Sequence, residues 1–250
     1  VTIFLLLREN FTLIDLPFTE QASVFSLALD KSEMQLYWIL AAIGMKLVLT
    51  VFGGIILRKY FRKIAAPAMF FFILFIFFLS FEGFRAGQLL VIILNLPDYL
   101  GVVISRVVYF GHFSGLFCLF VASLFIAGVQ YQKLGTVLGI AFFIALLIAY
   151  TVPVGSSVLY AGLIHKVGWG YSVQLISLFI LIFIVMNHIY GAFKFRAEER
   201  AILIPAILLI VVGKFFVFFM PHPITLSIGI VFLYAGSLLY SVRNFKVYFW

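Results

Sequence analysis

Charged residues and cysteine are both scarce in this chain. Only 10% of its 250 residues are Asp, Glu, Lys or Arg, whereas about a quarter are charged in soluble domains. Hydrophobic residues make up 65%, which excludes an ordinary soluble domain. The single cysteine, Cys118, cannot by itself form an internal disulfide framework or a cysteine-based metal site.

Catalytic and cofactor motifs are also missing from the sequence. It contains no His-Glu-x-x-His pair, no phosphate-binding loop and no Gly-x-Ser-x-Gly elbow. His112 and His188 lie at different depths along their helices, so one haem cannot bridge them. A retinal Schiff base would need a lysine in the last apolar stretch, and 226–242 has none. We therefore expect no enzymatic activity, no cofactor and no metal site.

Long apolar stretches fill most of the chain instead. A transmembrane helix needs about 20 apolar residues to cross about 30 Å of hydrocarbon. Seven stretches meet this length, and they begin near Tyr37, Ile64, Val102, Leu134, Gly168, Ala201 and Pro223. The sequence therefore predicts an all-α integral membrane protein, with a seven-transmembrane helix bundle over residues 34–250.

Basic residues collect in every second gap between these stretches. They are Arg58, Lys59, Arg62 and Lys63, then Lys133, then Lys194, Arg196 and Arg200, and finally Arg243 and Lys246. Because Lys and Arg near helix ends favour the inner side, the N-terminus is predicted outside and the C-terminus inside. Residues 1–33 then form an outer interfacial segment. The net charge of +8 belongs to this topology, so we expect no nucleic-acid partner.

A shift of 138 positions gives a candidate internal repeat. It aligns Gly53 with Gly191, Arg58 with Arg196, Arg62 with Arg200, Pro67 with Pro205 and Ala68 with Ala206. The first two stretches would then correspond to the fifth and sixth, in a 3+1+3 arrangement. Common topology rules for apolar helices with basic inner ends are the alternative explanation.

Lys46 and Lys214 lie within the first and sixth apolar stretches, where a charged side chain has a high free-energy cost. A cation at mid-membrane costs about 2.5–3.5 kcal/mol unless it faces a partner, a cavity or water. Arg106 and His112 of the third stretch reach a similar depth. One hypothesis is an outward-facing polar pocket for an anionic ligand, formed by these four residues with Glu82 as the internal counter-charge.

The alternative gives the same residues a purely structural role. The two lysines then snorkel or bond backbone carbonyls, while Glu82 and Arg85 form an interfacial ion pair at the outer end of the second stretch. After Glu82 comes a further apolar segment, 89–96. It either extends the second helix or folds back as an outer interfacial turn. The connection 153–167 is predicted to be an outer loop.

Several polar points give the chain a resemblance to a known module. They are the basic exit Arg58-Lys59-Tyr60-Phe61-Arg62-Lys63, Glu82, the linker from Pro97 to Arg106, and the tail Arg243-Asn244-Phe245-Lys246. In these the chain resembles the seven-transmembrane N-terminal sensor module of bacterial histidine kinases. That resemblance implies a receptor-like protein in a bacterial inner membrane. Such modules precede a signalling domain, whereas this sequence ends at Trp250.

The functional expectation is a non-enzymatic sensor or partner-binding module. Its inner basic residues, Arg58, Lys59, Arg62, Lys63, Arg196 and Arg200, would contact anionic membrane lipid or another membrane or cytoplasmic protein. An accessory subunit of a larger membrane complex is one alternative. A small-solute transporter with parallel three-helix repeats is another, since Pro67 and Pro205 occupy equivalent positions and can kink their helices.

Overall fold

The computed structural model describes residues 33–61, 67–128, 134–160, 163–167, 170–195, 203–220 and 222–249. Residues 1–32 of the predicted outer segment lie outside this set. Arg62, Lys63, Lys133, Arg196 and Arg200 also lie outside it, as do the side chains of Arg58, Lys59 and Lys246. The lipid or partner contacts predicted for the inner basic residues therefore remain predictions.

Apolar helices make up nearly all of the described chain. In chain order the elements are α1 (Glu33–Phe61), α2 (Pro67–Leu79), a 3₁₀ segment (Ser80–Ala86), α3 (Gly87–Ile93), α4 (Asp98–Ile126), α5 (Leu134–Thr151), β1 (Val154–Tyr160), β2 (Ile164–Val167), α6 (Gly170–Phe195), α7 (Leu203–Phe219) and α8 (Pro223–Phe249). Five spans are long and apolar enough to cross a membrane, and α5 and α7 are shorter apolar helices. The predicted helical membrane architecture is confirmed at this level.

The second apolar stretch is longer than a single bilayer crossing requires. The backbone stays right-handed helical from α2 through the 3₁₀ segment into α3, giving a continuous apolar span over Pro67–Ile93. The segment after Glu82 thus extends the helix and does not fold back. Glu82 therefore lies within this span and not at its end.

Pairwise packing arranges the described helices in a ring. Neighbours around the ring are α1 and α2, α2 and α4, α4 and α6, α6 and α7, α7 and α8, and finally α8 and α1. Helix α5 packs outside the ring against α4. Phenylalanines of α2 fill the centre: Phe71, Phe72 and Phe75 are fully buried, and the Phe72 ring lies 4.3 Å from the Tyr240 ring of α8.

An antiparallel hairpin of β1 and β2 replaces the loop predicted between α5 and α6. It packs against α4, where the Ser105 hydroxyl accepts hydrogen bonds from the His165 backbone N–H at 3.1 Å and from Gln88 Nε2 at 3.0 Å. Burial lowers the pKa of His165 from its ordinary value, and the Asp98 carboxylate opposes that shift. The hairpin, α3 and α4 are thus joined around one buried hydroxyl.

Glycines bring α7 and α8 into backbone contact. A Cβ added at Gly213 would lie 2.7 Å from the Gly229 carbonyl oxygen and 2.7 Å from the Leu233 nitrogen. A Cβ at Gly236 would lie 2.8 Å from the Ala206 carbonyl oxygen. Small residues allow such close approach in membrane helices. This contact fixes the position of α7, which carries the buried Lys214.

Gly213→Ala should therefore separate α7 from α8 and lower the free energy of unfolding by about 1–3 kcal/mol, the usual cost of overpacking. The matched control is Gly139→Ala in α5, where a Cβ meets nothing within 4 Å. It should leave stability unchanged or raise it by up to about 1 kcal/mol. Thermal unfolding in detergent measures both, and equal stability of the two variants would contradict the close contact.

Candidate functional site

One carboxylate, that of Glu82, joins two lysines from different helices in the middle of the bundle. Lys46 of α1 donates a hydrogen bond to Oε2 at 2.6 Å, and Lys214 of α7 donates to Oε1. Both oxygens of Glu82 are thereby engaged by cations. This ionic cluster, which we define as Lys46, Glu82, Arg85, His112 and Lys214, lies within the helices and not in a loop.

The 3₁₀ segment explains how two charged side chains of one helix reach the same interior. In a 3₁₀ helix, side chains at positions i and i+3 are eclipsed. Glu82 and Arg85 have this spacing, and both are buried, whereas Phe84 between them is exposed. A short stretch of 3₁₀ geometry inside a longer helix also often marks a hinge.

Arg85 meets an aromatic ring and not the carboxylate. Its guanidinium carbon lies 4.3 Å from the centroid of the Phe218 ring, and the Lys214 ammonium lies 5.6 Å from the same centroid. Among the described residues, Arg85 Nε and Nη2 have no hydrogen-bond partner. Arg85 is therefore a buried cation without an acceptor for these two nitrogens.

His112 links the cluster to α6. Its ring stacks on Phe218 with centroids 3.6 Å apart, and its Nε2 lies 3.1 Å from the Ser177 hydroxyl oxygen. That hydroxyl donates its own proton to the Val173 carbonyl at 2.8 Å, so it accepts from His112. We therefore place the ring proton of His112 on Nε2. His112 Nδ1 then faces Glu82 Oε1 at 3.9 Å and has no hydrogen-bond partner in the described chain.

The cluster is closed and does not form an open pocket. Relative exposure is 0% for Glu82, 1% for His112, 2% for Lys46 and Lys214, and 3% for Arg85. The sequence predicted these groups at the wall of an outward-facing cleft. In the structure they face each other, because the carboxylate that was expected as a counter-charge already bonds both lysines. Access for a ligand therefore needs a movement of the helices.

Arg106 was predicted to belong to this site, but the structure puts it elsewhere. Its guanidinium carbon lies 5.4 Å from the centroid of the Tyr150 ring of α5, and within the described ranges it forms no ion pair with Glu82. The structural alternative also differs from what is found. Neither lysine snorkels, and the predicted Glu82–Arg85 ion pair is replaced by the two Lys–Glu82 pairs.

The balance of charge is the unusual property of the cluster. With His112 neutral and the other four groups ionised, Lys46, Arg85 and Lys214 contribute three positive charges and Glu82 one negative charge. Each cation costs about 2.5–3.5 kcal/mol in the middle of a membrane helix. Two of them have a hydrogen-bonded carboxylate, whereas Arg85 has a desolvated aromatic face worth about 2 kcal/mol. The cluster therefore has an excess of positive charge.

A second set of polar groups, buried or partly buried, lies nearer the C-terminal end of α6. Asn187 Nδ2 donates to the Ser123 hydroxyl at 2.9 Å, and His188 Nδ1 donates to the Ile184 carbonyl at 2.8 Å. The first bond connects α6 with α4, as expected for polar side chains in membrane bundles, whereas the second lies within α6. Within the described ranges, no three His, Cys, Asp or Glu side chains come together as a metal site.

Comparisons with protein-family models, with curated proteins and with solved structures found no match to this chain. The functional argument accordingly rests on the ionic cluster and the helices that hold it.

Glu82→Gln should be much more damaging than the loss of either lysine. It removes the one acid of the cluster and leaves three cations buried together, and breaking such a pair from one side typically costs about 3–5 kcal/mol. Lys46→Met or Lys214→Met leaves Glu82 bonded to the other lysine, so the loss should be smaller. Thermal unfolding of the three variants in detergent gives this order. A Glu82→Gln protein as stable as the wild type would contradict it.

Proposed function

We propose that this protein is a non-enzymatic, multi-pass membrane protein that binds an anionic ligand at the ionic cluster and works as a receptor-like sensor or partner-binding module. The observation that carries this proposal is the excess of positive charge around Glu82. Ionisable residues inside a membrane bundle are rare and usually functional. Three cations around one acid exceed what a structural ion pair requires.

Burial of the cluster supports a protein with two states. In the closed state the Glu82 carboxylate is hydrogen-bonded to both lysines. An incoming anion would compete with that carboxylate for the lysines. The 3₁₀ segment, a common site of hinge motion, carries Glu82 itself. Ligand binding would thus be coupled to a rearrangement of the helix that holds Glu82, which is the property a sensor needs.

The proposal keeps the topology expected from the sequence. The N-terminus is outside and the C-terminus inside, and α5 and α7 cross the membrane together with the five longer spans. Under this topology a ligand enters from the outer face. The basic inner residues, among them Arg58 and Arg196, contact anionic lipid or a partner protein in a bacterial inner membrane.

Transport of the anion is the second candidate, and the packing of the helices favours it. If α1, α2 and α4 form one unit and α6, α7 and α8 another, the ring contacts repeat: α1 packs on α2 as α6 packs on α7, and α2 on α4 as α7 on α8. The contact of α8 with α1 matches that of α4 with α6. Lys214 and Glu82 then belong to different units, and transporters built from repeats bind substrate between them near the midplane.

Gentle purification followed by native mass spectrometry should detect an anionic species bound to the wild-type protein. The double variant Lys46→Met/Lys214→Met should lose at least about tenfold in occupancy, because it removes charge-assisted bonds. The matched control is Lys194→Met, at the exposed end of α6, which should keep the ligand. Unchanged occupancy together with higher thermal stability in the double variant would contradict the proposal and leave the lysines a structural role.

Flux of the same anion into proteoliposomes separates the two candidates. A transporter should give uptake that saturates with anion concentration and falls in the Lys214→Met variant. A sensor or subunit should bind the anion without flux and co-purify with a stoichiometric partner. Flux equal to that of protein-free vesicles would rule out the transport candidate.

A further inference from the structure

Arg85 has an unused hydrogen-bonding edge inside the ionic cluster. The side chain is 3% exposed, and the two atoms without a hydrogen-bond partner in the described chain are Nε and Nη2. These nitrogens lie along one edge of the planar guanidinium group, where one N–H of each points in the same direction. Arg85 therefore offers a bidentate hydrogen-bond donor, with both N–H groups of this edge unpaired in the described chain.

The remaining groups of the cluster cannot satisfy this edge. Glu82 is the acid nearest in sequence, and its two oxygens accept from Lys46 and Lys214. His112 directs its Nε2 to Ser177, and its Nδ1, the acceptor in that tautomer, makes no hydrogen bond with Arg85. The Phe218 ring contacts the guanidinium and offers no acceptor in the guanidinium plane. The missing partner is thus an acceptor that comes from outside the described residues.

The shape of the unused edge indicates the class of that acceptor. Two parallel N–H groups match two oxygens of a planar oxyanion, and the carboxylate is the common partner for this geometry. The Phe218 ring, 4.3 Å away, restricts the orientation of the guanidinium and so fixes the direction of the edge. A spherical ion such as chloride has one centre, so it cannot lie in line with both N–H groups at once.

We propose that the Nε–Nη2 edge of Arg85 is the binding site for a carboxylate ligand, which neutralises the third cation of the cluster. This inference rests on the proposed function and specifies its ligand class. The carboxylate comes either from a small free acid or from the head of an acyl chain, since both present the same planar group. Arg85 is then the residue that selects the ligand, while the lysines maintain the positive potential.

The test uses the full chain in detergent, with thermal unfolding as the readout and sodium formate as the probe against sodium chloride at matched ionic strength. Formate should raise the unfolding temperature of the wild-type protein in a saturable way, and chloride should not. Arg85→Lys keeps the charge but loses the two-pronged edge, so the formate concentration for half the effect should rise by about tenfold or more. The control Lys194→Met should respond as the wild type does.

The inference and the proposed function can fail separately. The inference about Arg85 is wrong if chloride and formate act equally, or if Arg85→Lys responds like the wild type. If Lys46→Met/Lys214→Met loses the response in that case, anion binding at the cluster still stands. If neither anion acts on the wild type, both fail. If Arg85→Lys does not fold, Arg85→Met is used in its place. Without formate this variant should be more stable than the wild type, and formate should not change its unfolding temperature. A response to formate in Arg85→Met overturns the inference.

Hexanoate identifies the source of the carboxylate. A small free acid as the natural ligand predicts that formate and hexanoate act at similar concentrations. The head of an acyl chain predicts that hexanoate acts at a concentration lower by tenfold or more, because its CH₂ groups are buried on binding. Either result in the wild type supports the edge if Arg85→Lys raises the half-effect concentrations of both acids.

Discussion

The double ion pair at Glu82 is the interaction on which the arrangement of the bundle depends. Charged groups are costly at mid-membrane, and one carboxylate can offset two lysines only if α1 and α7 approach the 3₁₀ segment together. The glycine contact that seats α7 on α8 holds Lys214 in place for this. The requirement to pair buried charges therefore sets the relative position of helices that otherwise present apolar surfaces to one another.

The same interaction links stability to function. The hydrophobic effect does not hold membrane helices together, because lipid is as apolar as the neighbouring helix. A shift that separates Glu82 from a lysine leaves charges unpaired in the membrane, unless an anion takes the place of the carboxylate. Under the proposed function, an anionic ligand would take the place of the Glu82 carboxylate in this way, and the excess cation Arg85 would favour its binding.

The sequence predicted the helices well because bilayer thickness dictates their length, and it singled out Lys46 and Lys214 because cations are rare in such helices. One of its two hypotheses named Glu82 as the counter-charge of these lysines, but it did not predict that the cluster is closed. The other hypothesis paired Glu82 with Arg85, because their i+3 spacing did not show that the 3₁₀ segment directs Arg85 to Phe218. Arg106 was included on depth alone, and depth does not tell which side of α4 a residue occupies.

A double-mutant cycle between Glu82 and Lys214 tests most directly whether the buried ion pairs organise the bundle. Glu82→Leu, Lys214→Met and the double variant are compared by unfolding in detergent. We predict that the double variant is more stable than Glu82→Leu alone, with a coupling free energy of at least about 2 kcal/mol, because the second change removes a cation that the first leaves unpaired. Strictly additive losses would contradict this account.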